Sequence, residues 1–500
     1  MKIAEIIRRL LFHIVSCRHM LIFMAAAAIL ATASCASVGP DYAPPEIDAP
    51  ASWNTPLENG LSSDPMDPET LAEWWAIFDD STLSDLMHQA VSGNFDLKQA
   101  ESRIREARAR RGLEKSALFP TLDASGDYTR SRTSENAGTG MDRDLYQAGF
   151  DAGWEIDIFG GVRRAVEAAD ASLQASRENL RNVLVSLTAE IALNYIETRT
   201  FQTQLAIAIA NIDAQQETYD LINFRYQAGL SDELALQQAR YNLESTRSKV
   251  PLLRKGLAGT ENRLAVLIGK PPGSVDVLLY EVQPIPVTPA SVAVGIPVET
   301  IQHRPDIRKA ERELAYQTAR VGVAMADLYP KLKLAGTFGL ESMESGNLLT
   351  SDSRFWKYGP SVSWNIFDAG AIGNNIEIQS ALQEQALIAY QSTTLNALEE
   401  VENALVAYAQ EQIRRQRLFE AVTSAQRAES VAQEQYKSGL VDFSNVLDAQ
   451  RSLFSFEEQL AESDGQTAAN LVRLYKALGG GWESNALSLP DIQEKDKTPS

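Results

Sequence analysis

Apolar positions change period along the chain. A helical segment over about Leu83–Ala117 ends ahead of Pro120, because proline stops a helix at the residue before it. The period then falls to two. Tyr146, Ala148, Phe150, Ala152, Trp154, Ile156 and Ile158 are apolar, and Gln147, Gly149, Asp151, Gly153, Glu155 and Asp157 between them are polar or glycine. Such alternation predicts a strand with one apolar face. Leu122, Ala124, Gly126 and Tyr128 predict a weaker partner strand, with a polar loop over Ser131–Asp144 between the two. From Val162 to Gln227 there is neither proline nor glycine. Within this span Leu180, Leu184, Leu187, Ile191, Asn194 and Thr198 begin a four-three spacing that continues through Ala208, Gln215 and Ile222 to Tyr226. That is a heptad seam on one very long helix, about 100 Å at 1.5 Å per residue. A turn at Gly229-Leu230-Ser231 leads to a further helix over about Asp232–Ile268.

The same grammar recurs at an offset of 210 residues. Pro120 matches Pro330, Trp154 matches Trp364, Gly160 matches Gly370, Tyr226 and Gly229 match Tyr436 and Gly439, and Gly269 matches Gly479. Matched Trp, Pro and Gly in one register identify a tandem duplication. The second copy predicts a helix over Val298–Asp327 and a strand from Leu332 to Leu340. A loop over Glu341–Lys357 then leads to a strand carrying Tyr358, Pro360, Val362, Trp364 and Ile366. A long helix over Ala371–Lys437 and a last helix over Asp442–Leu478 complete it. In each copy the first and last helices together match the long one in length. The simplest packing therefore sets them end to end beside it.

The strands suit a lipid exterior and an aqueous interior, since each approaches the 9–11 residues that span a bilayer. A soluble antiparallel sheet alternates in the same way. Four strands per chain cannot close a barrel, and an open edge in lipid costs several kcal/mol per unpaired group. Two chains would give eight strands and three would give twelve; arithmetic alone does not choose.

The N-terminus changes the compartment. Lys2, Arg8, Arg9 and Arg18 precede the apolar run Met20–Ala31, and the small residues Thr32, Ala33 and Ser34 lead to Cys35. This reads as an export signal over residues 1–34, with Cys35 as the lipidated (palmitate-bearing) first residue of the mature chain; Thr32 stands where the motif usually has Leu. Cys17 is the only other cysteine, so no disulfide framework or thiolate metal site is expected. A net charge of -20 excludes the basic footprint that nucleic acid requires. Residues 35–82 read as an N-terminal anchor and equatorial segment, 83–272 as the first repeat, 273–297 as a Pro-rich connector, 298–482 as the second repeat and 483–500 as a tail, read as disordered.

Together the Cys35 motif, Val38-Gly39-Pro40-Asp41-Tyr42, His303-Arg304-Pro305-Asp306-Ile307, the duplication and the Tyr-x-x-Gly turns resemble the outer-membrane efflux protein family. This is the family of TolC-like channels, and the likeness is to its lipoprotein branch. The resemblance implies a mainly α trimer with a 12-stranded transmembrane β-barrel on a 12-helix periplasmic tunnel, and a small equatorial mixed domain. It implies an exit duct in the outer membrane, partnered by a periplasmic adaptor and an inner-membrane efflux pump. It also implies adaptor docking at Gly229, Leu230, Ser231, Gly439, Leu440 and Val441, and a periplasmic gate at Asn445 and Asp448. Asn445 stands where the family often has an acid, and Val441 where a basic tether can sit; one carboxylate ring in place of two implies weaker cation blocking. Tyr146, Trp154, Tyr358 and Trp364 are candidates for an aromatic girdle.

Catalysis is not expected. Beyond the signal only His88 and His303 remain, and neither a His-Glu-x-x-His motif nor a phosphate loop occurs, so no cofactor and no metal is expected. Asp151, Glu155 and Asp157 share a strand face; a glycosidase pair can be drawn from them, but a polar pore lining is the better reading. Drug efflux, metal efflux and type I protein secretion use similar ducts, and a non-channel coiled-coil surface lipoprotein would explain the heptads alone. The cargo is not legible in the sequence.

Overall fold

A computed structural model describes residues 37–46, 49–65, 67–289 and 291–482. Cys35 and the stretch 483–500 lie outside the described residues. The chain forms two compact units.

One unit comprises Ile104–Ser176, Ala310–Tyr390 and the described residues up to Pro45. It holds four strands, β1 (Thr121–Arg132), β2 (Asp142–Ile156), β3 (Lys331–Ser342) and β4 (Arg354–Ser363). They pair antiparallel in chain order, so β1 and β4 are the outer strands. One cross-strand row runs Leu122, Ala152, Gly336, Tyr358, and the next runs Asp123, Asp151, Thr337, Lys357. Period two therefore sends the apolar set to one face and the polar set to the other. The polar face is bonded across strands. Asp151 accepts from Ser125 Oγ at 3.0 Å and Thr337 Oγ1 at 2.8 Å, and Gln147 Nε2 donates to Glu341 at 2.5 Å.

The strand ends differ from the sequence reading. β1 and β2 extend into the expected loop, where Arg130 pairs with Asp142 at 3.2 Å. Charge there is cross-strand pairing, which the alternation pattern could not register. Conversely, Trp364 and Ile366 lie beyond β4. The last pair is Ser363 with Lys331, and the next position on β3's side is Pro330, which has no N–H to offer a ladder.

Among the described residues six longer helices stand out: α1 (Phe95–Ser116), α2 (Gly161–Gln227), α3 (Glu233–Leu267), α4 (Pro305–Ala326), α5 (Ala371–Lys437) and α6 (Phe443–Ala477). Carboxylates begin the two 67-residue helices. Asp157 accepts from the backbone N–H of Val162 at 3.2 Å and Arg163 at 2.9 Å, and Asp368 from Ile372 at 2.7 Å, satisfying donors that a helix start leaves free.

The other unit comprises Glu46–Arg103, Arg177–Lys309 and the described residues from Gln391. Here Leu180, Leu184 and Ile191 of the α2 seam are buried, and the polar seam member Thr198 donates to Thr260 Oγ1 of α3 at 2.9 Å. Tyr226, expected to close the seam, is instead exposed. α3 runs through Pro251, at the loss of one backbone donor.

Each copy's first helix is broken, against expectation. Asn94 separates Ser81–Gly93 from α1, and Arg304 separates Pro297–His303 from α4; both are extended. Arg304 precedes Pro305, which disfavours helical backbone. Asn94 diverts the chain through its own side chain. Its Nδ2 donates to Leu267 O at 2.9 Å, and its Oδ1 accepts from Leu97 N at 3.0 Å. Arg304 Nη1 donates to Ala477 O at 2.7 Å. These carbonyls stand at equivalent ends of α3 and α6, so the end-to-end join is made twice with different side chains. Beside it, Leu61–Ser62 pairs parallel with Val292–Ala293, and Trp53 Nε1 donates to Gly295 O at 3.0 Å.

Candidate gate and docking turns

The α2–α3 and α5–α6 turns are built alike. Gly229 N donates to Tyr226 O at 2.9 Å and Leu230 N to Arg225 O at 2.7 Å; Gly439 N donates to Tyr436 O at 3.0 Å and Leu440 N to Gln435 O at 2.9 Å. Both are Schellman ends, which need a left-handed residue, and Gly229 and Gly439 have φ of 71° and 72°. A side chain at either glycine would meet open space, so conformation alone demands glycine. The residue after each is a bare leucine, with Leu230 70% and Leu440 74% exposed. Ser231 and Val441 are half-buried.

Behind the turns Ile222, Ala239, Phe443, Val446 and Leu447 form a buried cluster. Asn445 and Asp448 lie on the opposite, exposed side of α6. Asn445 Nδ2 is spent on Asp442 O at 3.2 Å. Asp448 sits 3.6 Å from Arg451, whose Nη2 also donates to Tyr241 OH and Asn242 Oδ1, each at 3.1 Å. Arg451 thus offsets part of the carboxylate's field and was missed in the sequence. So was Arg225, which donates to Tyr436 OH at 3.0 Å and lies 5.0 Å from its ring centre. A signal existed: the 210-residue offset sets Arg225 against Gln435 and Arg451 against Tyr241, so the duplication is broken where the two hairpins meet.

The girdle candidates divide. Trp154 Nε1 donates to Leu118 O and Trp364 Nε1 to Leu328 O, both at 3.0 Å, equivalent ties at the end of β2 and just past β4. Tyr146 packs on its cross-strand partner Tyr128 with ring centres 4.8 Å apart, and Tyr358 stacks on Trp356 at 5.5 Å. Among the described residues no helix is long and apolar enough to cross a membrane, and no cluster of His, Cys, Asp and Glu could hold a metal ion.

A duplicated set of long helical hairpins together with a two-faced antiparallel sheet defines a class of outer-membrane ducts. The chain belongs to the outer membrane efflux protein family, whose model matches residues 86–270 and 296–480. It is 31% identical to nodulation protein T of Rhizobium leguminosarum bv. trifolii over 89% of this chain and 94% of that protein. It is also 31% identical to the cation efflux system protein CusC of Escherichia coli O6:H1, over 91% of this chain and 97% of that one. Its fold superposes on the outer-membrane channel OprN with a TM-score of 0.83 at 34% identity, covering 89% of this chain and all of that one. The protein is therefore an efflux channel of the outer membrane.

Proposed function

We propose that three copies of this chain close one barrel and one helical tunnel. The trimer is the exit duct of a tripartite efflux assembly, fed by an inner-membrane pump through a periplasmic adaptor. The two-faced sheet with β1 and β4 as its outer strands carries the reading. Pairing β4 of one copy with β1 of the next removes the edges that lipid penalises, and three copies give twelve strands, a bacterial barrel size. The polar face lines the lumen, and the apolar face with its tyrosines and tryptophans meets lipid. The exposed Leu230 and Leu440 are the docking contacts for the adaptor. Three copies of Asp448 with Asn445 ring the closed aperture and favour cations, and the Arg225–Tyr436 bond pins the two hairpins together. An acyl chain on Cys35 adds an anchor. Transport is passive and the protein has no catalytic role; cargo choice lies with the pump.

The reading is tested by extracting the protein in mild detergent and measuring its native mass with detergent and lipid subtracted. Three mature chains are expected, each heavier by the acyl chain. A detergent-free monomer would overturn the shared barrel, and two chains would point to an eight-stranded one.

A further inference from the structure

The segment Val38-Gly39-Pro40-Asp41-Tyr42 is gripped by both repeats, in the unit that holds the sheet. Val38 N donates to Phe159 O at 3.0 Å, just past the end of β2. Arg164, in the first turn of α2, is only 4% exposed. Its Nε donates to Val38 O at 3.1 Å, and its Nη2 to Gly39 O at 3.2 Å and Asp41 Oδ1 at 2.7 Å. Only Nη1 turns elsewhere, to Glu167 at 2.8 Å. The second repeat supplies the other jaw. A side chain at Gly39 (φ 91°) would strike Gly322 Cα at 2.5 Å, and one at Gly322 would strike Arg164 Cγ at 2.9 Å. Tyr42 OH donates to Glu311 at 2.9 Å, and Arg312 lies over the Tyr42 ring at 5.3 Å.

A buried guanidinium loses several kcal/mol of hydration unless its donors are matched. Here three of the four hydrogen bonds of Arg164's side chain go to this strap, so its guanidinium is satisfied only when the strap is seated. Ser37, the residue before Val38, packs on Gly160. Cys35 stands two residues further back in the sequence.

We propose that Arg164 is a positioning residue for the lipid anchor. The strap it holds keeps an acyl chain on Cys35 at the foot of the sheet, so that anchor and strands enter the membrane together. This rests on the reading of Cys35 as lipidated. A strap that merely completed the fold would serve an unacylated chain equally well, and that difference is the test.

The full chain, with its own leader, is expressed in a Gram-negative host as wild type, Arg164→Leu and Gly39→Val. The last unseats the strap and leaves the arginine in place. Each is also made with Cys35→Ala behind a leader cleaved without lipidation. Intact mass reports acylation, and the fraction of heat-stable, protease-resistant oligomer in outer membranes reports insertion. With Cys35 acylated, each strap variant is expected to lower the inserted fraction about fivefold, within the coupling found between residues in contact. In the Cys35→Ala background each should lower it by clearly less, only by what loss of the strap's contacts costs the fold itself. Equal losses in both backgrounds would make Arg164 a structural residue and overturn the proposal, as would no loss in either. An unmodified Cys35 in the wild type would overturn the lipoprotein reading and the proposal with it, and the mass measurement separates that case from the others.

Discussion

At the residue scale, the charge at the proposed aperture is set by a pair. Asp448 is exposed and 3.6 Å from Arg451, so Arg451 tempers whatever cation binding a carboxylate ring provides. In planar bilayers, Asp448→Ala is expected to weaken block by a multivalent cation added from the periplasmic side about tenfold, or about 1.4 kcal/mol. Arg451→Ala should strengthen it. Unchanged block in both would remove Asp448 from the gate. Asp368 gives a pH dependence of known sign. The N–H groups of Ile372 and then Gly370 hold its carboxyl below the usual aspartate range. Its contribution to the start of α5 is therefore full above the ordinary aspartate range and lost as pH falls through its lower folded value. A melting series should show Asp368→Ala less stable than wild type at neutral pH, with the gap closing only in strong acid.

At the element scale, the helices and strands were legible because period and punctuation are local. Of the two 67-residue helices, the first could be bounded from absent prolines and glycines, and the second from absent prolines with a single glycine, Gly373, near its start. The break at Arg304 was signalled by Pro305 just after it, though its tie to Ala477 was not. The break at Asn94 was not legible, since it is fixed by a partner 173 residues away at Leu267. Arg225 and Arg451 escaped for the same reason: their meaning lies in the facing hairpin. The breaks also differ in cost. Asn94→Ala removes a cap and a neutral tie, about 1–2 kcal/mol. Arg304→Ala strips a nearly buried cation from Asp306 and Glu400, both at 2.7 Å, and should cost about 3 kcal/mol. Heat dissociation of the purified oligomer should rank wild type above Asn94→Ala and Asn94→Ala above Arg304→Ala. The reverse order would mean that the cap, and not the ion pairs, secures the join.

At the scale of the whole molecule, the duplication explains why one chain contributes half of a symmetric pattern twice. It leaves one question to assembly: which strand meets β1 and β4. Ser125 on β1 and Ser361 on β4 stand on the same polar face, in the rows of Gly149 and Lys333. If copies join β4 to β1, cysteines at both positions face one lumen near the same seam, and on the proposed reading, with Cys17 removed and Cys35 acylated, no native thiol competes. A short bifunctional maleimide added to membranes carrying Ser125→Cys with Ser361→Cys should give a ladder ending at three chains. Either single variant should give a much fainter one, because its copies lie a full four strands apart around the barrel. Bands at four chains and beyond would indicate open association of edges, the hazard of any unpaired strand. A ladder ending at two would fit the smaller barrel. An end at three ties the sheet's unmet edges to closure, which is the physical reason a four-stranded sheet can be stable in lipid at all.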